Sequence, residues 1–253
     1  MNDREASLRQ PDSGDAKRRQ PEFSDATHAR AREIVARYPE GRQRSALLPL
    51  LHLVQSEQGQ VTPAGVAFCA DQLGLTKAEV GAVATFYTMY KRRPTGEYLV
   101  SVCTNTLCDM LGGGDIFRRL SEDLGVGHDE TADDRTITLE HAECLAACDY
   151  APIVTVNYEF YDNQTPESAS ELVAALRSGQ RPAPTRGAGL CTLKEMALQL
   201  AGFTDERDGA VAAGPPGAPS LRGTRLAQDN DIAVPSYDVS SPIPAVPANG
   251  GAK

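Results

Sequence analysis

Six cysteines stand in this chain, and four of them form two close pairs: Cys103 with Cys108 as C-x4-C, and Cys144 with Cys148 as C-x3-C. Thiolates are soft ligands, and four of them on two loops suit a tetrahedral zinc ion or an iron–sulfur cluster. A single zinc usually takes short C-x2-C knuckles. The wider loops here can reach around a two-iron cluster with two thiolates on each iron, and they differ from the plant-type run in which three cysteines lie close together. Three glycines, Gly112, Gly113 and Gly114, follow the first pair. They let backbone N–H groups approach anionic sulfur, at the start of a helix whose dipole favours negative charge. Ala146 and Ala147, between the second pair, are small for a similar reason, and such contacts tune a reduction potential. Spacing alone leaves zinc and the cluster both open.

The remaining reactive types carry less. Cys69 lies between Phe68 and Ala70 in a helical stretch and reads as a core residue. Cys191 precedes a helix cap and receives no role. His52 sits among leucines and reads as a packed core histidine. His128 and His141 are not spaced for a Rieske-type pair of histidine ligands. There is no G-x-G-x-x-G and no G-x-x-x-x-G-K, so no nucleotide site is expected on this chain, and no catalytic residue is assigned.

Two kinds of segment must position the cysteines. From Ser24 onward the period is helical. Ser24 can cap a helix that runs to Tyr38, and Ser45 can cap a second with Leu47, Leu50, Leu51 and Val54 on one face. Thr62-Pro63 opens a third helix that Gly74 ends. Thr76 with Glu79 reads as a capping box for a fourth, with Val80, Val83, Ala84 and Tyr87 on one face. Four short helices are too few to bury much alone, so residues 23–91 are expected to act as a docking segment, with Phe86, Tyr87 and Tyr90 as its aromatic cluster. RRPTG, residues 92–96, marks a boundary. Strands are then expected over 97–102 and 136–141, and one through Val154, Val156, Tyr158 and Phe160, with helices over 115–124 and from Thr165-Pro166 onward. Cys103 ends the first strand and Cys108 falls in the loop after it. This makes 92–180 a small α/β domain. Thr192 and Glu195 can box a short helix in an extension over 181–202. Residues 1–22 and the Pro/Gly-rich residues 203–253 show no period and are expected to lack order.

The net charge is −9, which argues against a nucleic-acid partner. No apolar run is long enough to cross a bilayer, and the polar N-terminus lacks the apolar stretch of a secretory signal. A cytoplasmic location, with thiols kept reduced, is the expectation.

Four stretches, GAVATFYTMY (81–90), PTGEYLVSVCTNTLC (94–108), CLAACDYAP (144–152) and VNYEFY (156–161), in that order and spacing, resemble the E subunits of bacterial NADH-quinone oxidoreductase, the respiratory complex I enzyme. The resemblance covers roughly residues 24–200. It implies an α+β chain: an N-terminal helical bundle followed by a thioredoxin-like α/β [2Fe-2S] ferredoxin domain, with disordered termini. It implies one [2Fe-2S] cluster on Cys103, Cys108, Cys144 and Cys148, and an electron-transfer role without activity of the chain alone. It also implies a partner subunit that binds NADH and FMN, other peripheral-arm subunits beside it, and a place at the inner face of the cell membrane through the complex. Equivalent subunits of NAD-linked hydrogenases and formate dehydrogenases are the alternative. The family often has glycine where Ala146 stands.

Overall fold

The structure is a computed structural model that describes residues 23–207, 209–210 and 217–233. The expectation for residues 1–22, and that for the end of the tail, lie outside those residues.

The helical part begins as the local signals require. Ser24 accepts from the Thr27 N–H and opens α1 (Asp25–Ala36). The second helix, α2 (Leu47–Gln58), is entered differently from expectation. Ser45 does not cap it; a 3-10 turn over Gln43–Ala46 feeds straight into it. Gly59, left-handed at φ 76°, ends it. Thr62 caps α3 (Pro63–Leu73), and the reciprocal Thr76–Glu79 capping box opens α4 (Lys77–Phe86). Tyr87 is already extended, so it lies beyond the helix whose face it was expected to join.

These helices bury more than four short elements were expected to. Ile34, Leu50, Leu51, Leu53, Val54, Cys69 and Val80 are sealed from solvent in one cluster. The extra partner comes from far along the chain. α8 (Leu193–Leu200), boxed by Thr192 and Glu195, lays Leu198, Ala201 and Phe203 on the same core. Lys194 donates to the Glu57 carbonyl at 3.1 Å, Arg37 donates to the Ala201 carbonyl at 3.3 Å, and Arg37 also covers the Phe203 ring. Of the aromatic cluster expected to dock a partner, Tyr90 is buried, with its hydroxyl donating to the Leu48 carbonyl at 3.0 Å. Phe86 and Tyr87 remain exposed.

The second part is a five-stranded sheet. Its strands are β1 (Tyr98–Cys103), β2 (Glu130–Thr131), β3 (Ile137–Ala142), β4 (Val154–Val156) and β5 (Glu159–Tyr161), ordered β2-β3-β1-β4-β5. β1 and β3 are parallel, with Cys103 opposite Ala142; the other pairs are antiparallel. The alternation Val154 to Phe160 is thus two strands and not one. Asn157 and Tyr158, at φ 48° and 71°, form the two-residue turn between them. Asn157 accepts from the Leu99 N–H at 2.7 Å and donates to the carbonyls of Glu97 and Cys191, which ties the hairpin to the edge of β1.

One face of the sheet is apolar. Val100, Val102, Ile137, Leu139, Val154 and Val156 pack on α6 (Gly113–Leu124) and α7 (Pro166–Arg177) through Ile116, Leu120, Leu172 and Leu176. Each such side chain contributes about 1.5–3 kcal/mol. The opposite face buries Ser101, Thr138 and Thr155. There the Lys91 ammonium, itself buried, pairs with Glu140, whose other oxygen accepts from Ser101 at 2.6 Å.

α9 (Ala218–Asp229) falls in a separate compact unit, within the stretch expected to lack regular structure. Pro219 sits in its first turn, where proline is tolerated, and its exposed Leu226 shows why no buried stripe was legible.

Candidate metal centre

The two cysteine pairs meet at one end of the sheet because the parallel β1 and β3 both finish there. Cys103 is the last residue of β1. Its N–H donates to the Ile153 carbonyl at 3.0 Å, so the strand is pinned up to its last residue. Cys108 was expected in a loop. It lies instead in a short helix, α5 (Thr106–Met110), which turns its thiol back toward Cys103. Cys144 follows β3, and Cys148 opens a 3-10 turn that runs to Tyr150.

Within each pair the thiols face each other. Cys144 Sγ and Cys148 Sγ are 3.6 Å apart. Burial first, and then the facing Cys103 thiol, push the Cys108 thiol up to about 11. The Cys144 thiol likewise raises Cys148. Each of these last two also feels the charge of thiols in the other pair, so the pairs lie within electrostatic reach. A like-charged set of this kind is costly unless cations neutralise it. Among the described residues no three His, Cys, Asp or Glu side chains close on a point that one metal ion could occupy.

The surrounding backbone fits a sulfur-rich anion. The Ile153 backbone N–H on the Cys108 side lowers that thiol's pKa against the trend of burial. Gly113 is the first residue of α6. A Cβ there would collide with the Cys103 carbonyl oxygen and stand 2.9 Å from that of Cys108. Gly112 adopts φ 109° to turn the chain into that helix. Gly113 is therefore a helix entry pressed onto the backbone of both cysteines of the first pair, while Gly114 stands against the Asp109 carboxylate. Ala146 takes φ 57°, a left-handed conformation that costs an alanine about 1–2 kcal/mol.

Exposure divides the site. Cys103 and Cys108 are buried with Ala147 and Ile153, while Cys144 and Cys148 are exposed. The helix that carries Cys108, α5, presents Leu107, Met110 and, just beyond it, Leu111 to solvent. Cys69 and Cys191 are buried away from the four. Burial raises Cys69 to about 12 and Cys191 to about 11. Cys191 has a structural part that its sequence context did not show, since its carbonyl accepts from Asn157 at 2.6 Å. His52 is a core residue whose ring lies tilted against that of Tyr90, with centroids 4.8 Å apart. His128 and His141 stack on each other at 3.9 Å.

A family profile described as thioredoxin-like [2Fe-2S] ferredoxin matches residues 31–177. A protein of Mycobacterium bovis, named as the E subunit of NADH-quinone oxidoreductase, is 63% identical over 205 residues, covering 81% of this chain and 80% of the relative. A protein of Rickettsia bellii with the same name is 37% identical over 149 residues, covering 58% of this chain and 89% of the relative. Among solved structures, an NAD+-reducing [NiFe]-hydrogenase chain superposes with a TM-score of 0.48 at 17% identity, over 53% of this chain and 23% of its own, too distant to bear on function.

Proposed function

The chain belongs to the thioredoxin-like [2Fe-2S] ferredoxin family, among the E subunits of NADH-quinone oxidoreductase, and from that premise we propose that Cys103, Cys108, Cys144 and Cys148 hold its one [2Fe-2S] cluster. It is an electron-transfer subunit of that oxidoreductase complex. The observation that carries the ligand assignment is the meeting of two facing thiol pairs at the shared end of β1 and β3.

When bound, the cluster supplies one-electron chemistry. The chain's own residues bind and insulate. Cys103 and Cys108 are fixed by the end of β1 and by α5, with Gly113 and the Ile153 N–H closing the inner side. Cys144 and Cys148 face outward, so exchange with a partner belongs on their side. No acid, base or nucleophile of this chain is needed, because the protein sets position and potential. The partner of best fit is the subunit that carries NADH and FMN, which this chain does not bind itself. The exposed apolar residues Leu107, Met110 and Leu111, on and just after the helix that carries Cys108, are the kind of surface such a subunit would cover. Among the described residues no helix is long and apolar enough to cross a membrane. Attachment at the inner membrane face is therefore assigned to the assembled complex.

The test is metal and sulfide analysis of the purified full chain. It should be red-brown, with about two irons and two labile sulfides per chain. Serine at any of the four positions should lose or disturb the chromophore, and serine at Cys69 or Cys191 should not. A colourless chain with one zinc would overturn the assignment.

A further inference from the structure

Arg186 lies far from the cysteines in sequence but not in the fold. Its guanidinium carbon stands 4.7 Å from the centroid of the Tyr150 ring and 4.7 Å from that of Phe160. Tyr150 closes the 3-10 turn that Cys148 opens, and its ring joins the small core around Cys103, Cys108, Ala147 and Ile153. Phe160 is in β5, and a backbone bridge aligns it with Arg186. The cation is held from behind. Nη2 donates to Asp162 Oδ1 at 2.9 Å, and the Asp162 side chain is only 7% exposed. The backbone N–H of Asn163, next to Asp162, donates to the Tyr150 carbonyl at 2.8 Å. One donor is left over: Arg186 Nε is buried with no acceptor among the described residues.

A guanidinium stacks on aromatic faces and keeps its charge at any ordinary pH, so it can act as a rivet and as a fixed positive charge together. We propose that Arg186 is a positioning residue of the centre, which locks the Cys148 turn through Tyr150 and holds a permanent cation, balanced by Asp162, that sets the reduction potential. The inference rests on the four-cysteine reading above. A cluster that gains an electron becomes more negative, so a nearby cation favours the reduced form and a nearby anion opposes it. Arg186 and Asp162 should therefore push the potential in opposite directions. The side chain of Arg186 is 34% exposed, which screens the effect and keeps it modest.

The experiment is a redox titration of the purified full chain, followed by visible absorbance and by electron paramagnetic resonance. Arg186→Gln should lower the reduced-to-oxidised ratio at a fixed applied potential by about threefold, equivalent to about 30 mV for a one-electron couple. Asp162→Asn should raise that ratio by a similar factor. Arg186→Lys should restore most of the potential but not the spectroscopic line shape, because an ammonium keeps the charge without the planar stack. The shifts should shrink at high salt. Potentials unchanged in both Arg186→Gln and Asp162→Asn, or shifted in the same direction in both, would overturn the proposal. If Arg186→Gln fails to assemble the chromophore, Asp162→Asn decides alone by its sign. Failure of the four-cysteine reading looks different: the wild-type chain would then show no iron–sulfur spectrum at all.

Discussion

Gly113 offers a sharp test of how tightly the chain is packed behind the first cysteine pair. A methyl group at that position meets two carbonyl oxygens, those of Cys103 and Cys108, and the carbonyl carbon of Cys108 at 3.0 Å. All three are backbone atoms of ligand residues, so none can swing aside as a side chain would. Overpacking of this kind costs about 1–3 kcal/mol. Gly81 is the matched control. It is also helical, in α4, and a Cβ there meets nothing within 4 Å. Alanine at Gly81 should gain up to about 1 kcal/mol from helix propensity. The propensity gain is common to both helical positions, so urea unfolding of the metal-free chain should separate Gly113→Ala from Gly81→Ala by about 1–3 kcal/mol, the overpacking cost. Iron content after reconstitution should fall in the first variant and hold in the second. A Gly113→Ala chain as stable as Gly81→Ala, with a full complement of iron, would refute the close approach of α6 to the ligands.

Three further outcomes follow from buried groups and backbone strain. Burial lowers the His52 pKa from 6.5 to about 4, so below pH 6.5 the unfolded chain takes up a proton that the native one refuses. Stability from this group is present above pH 6.5 and is lost as pH falls toward 4, by about 3 kcal/mol in all, and His52→Leu should flatten that part of the pH dependence in urea titrations. An equal slope in both proteins would contradict it. Lys91→Met should cost about 3–5 kcal/mol because it strands the Glu140 carboxylate, 13% exposed, whereas Lys91→Met with Glu140→Gln should cost clearly less; additive losses in denaturant titrations would rule out a coupled pair. Ala146→Gly should relieve the left-handed strain and change stability by no more than about 1 kcal/mol, while Ala146→Val should lose iron, as colorimetric iron assay will show.

Local chemistry was the readable part of this sequence. Thr62-Pro63, Thr76 with Glu79 and Thr192 with Glu195 announce helix starts because a cap and its partner lie within one turn. The cysteine pairs were legible as residue types and spacing, which need no periodic context. Other features depend on distant contacts and leave no local pattern. The Asn157–Tyr158 turn lacks the usual Asn-Gly pair and is held by Leu99, Glu97 and Cys191. The alternation across it therefore looks unbroken. α5 is too short to show a period, and the entry of α2 through a 3-10 turn displaces the cap expected at Ser45. Arg186 sits among Pro, Gly and Thr, where nothing hints at two aromatic rings and a buried carboxylate.

The return of α8 to the N-terminal helices has a consequence for synthesis. α2 is finished at Gln58 and α4 at Phe86, but the helix that completes their core starts only at Leu193. At bacterial elongation rates of about 5–20 residues per second, the ribosome needs about 5–20 s to supply it. Through that interval the apolar side of α2 that later meets Leu198 and Ala201 is uncovered, while the whole sheet emerges between. The sheet domain is in effect an insertion within a helical domain whose two ends must find each other last. Nascent chains stalled before residue 193 should bind holdase chaperones and be cut readily within α1–α4. Chains released past Phe203 should resist the same protease.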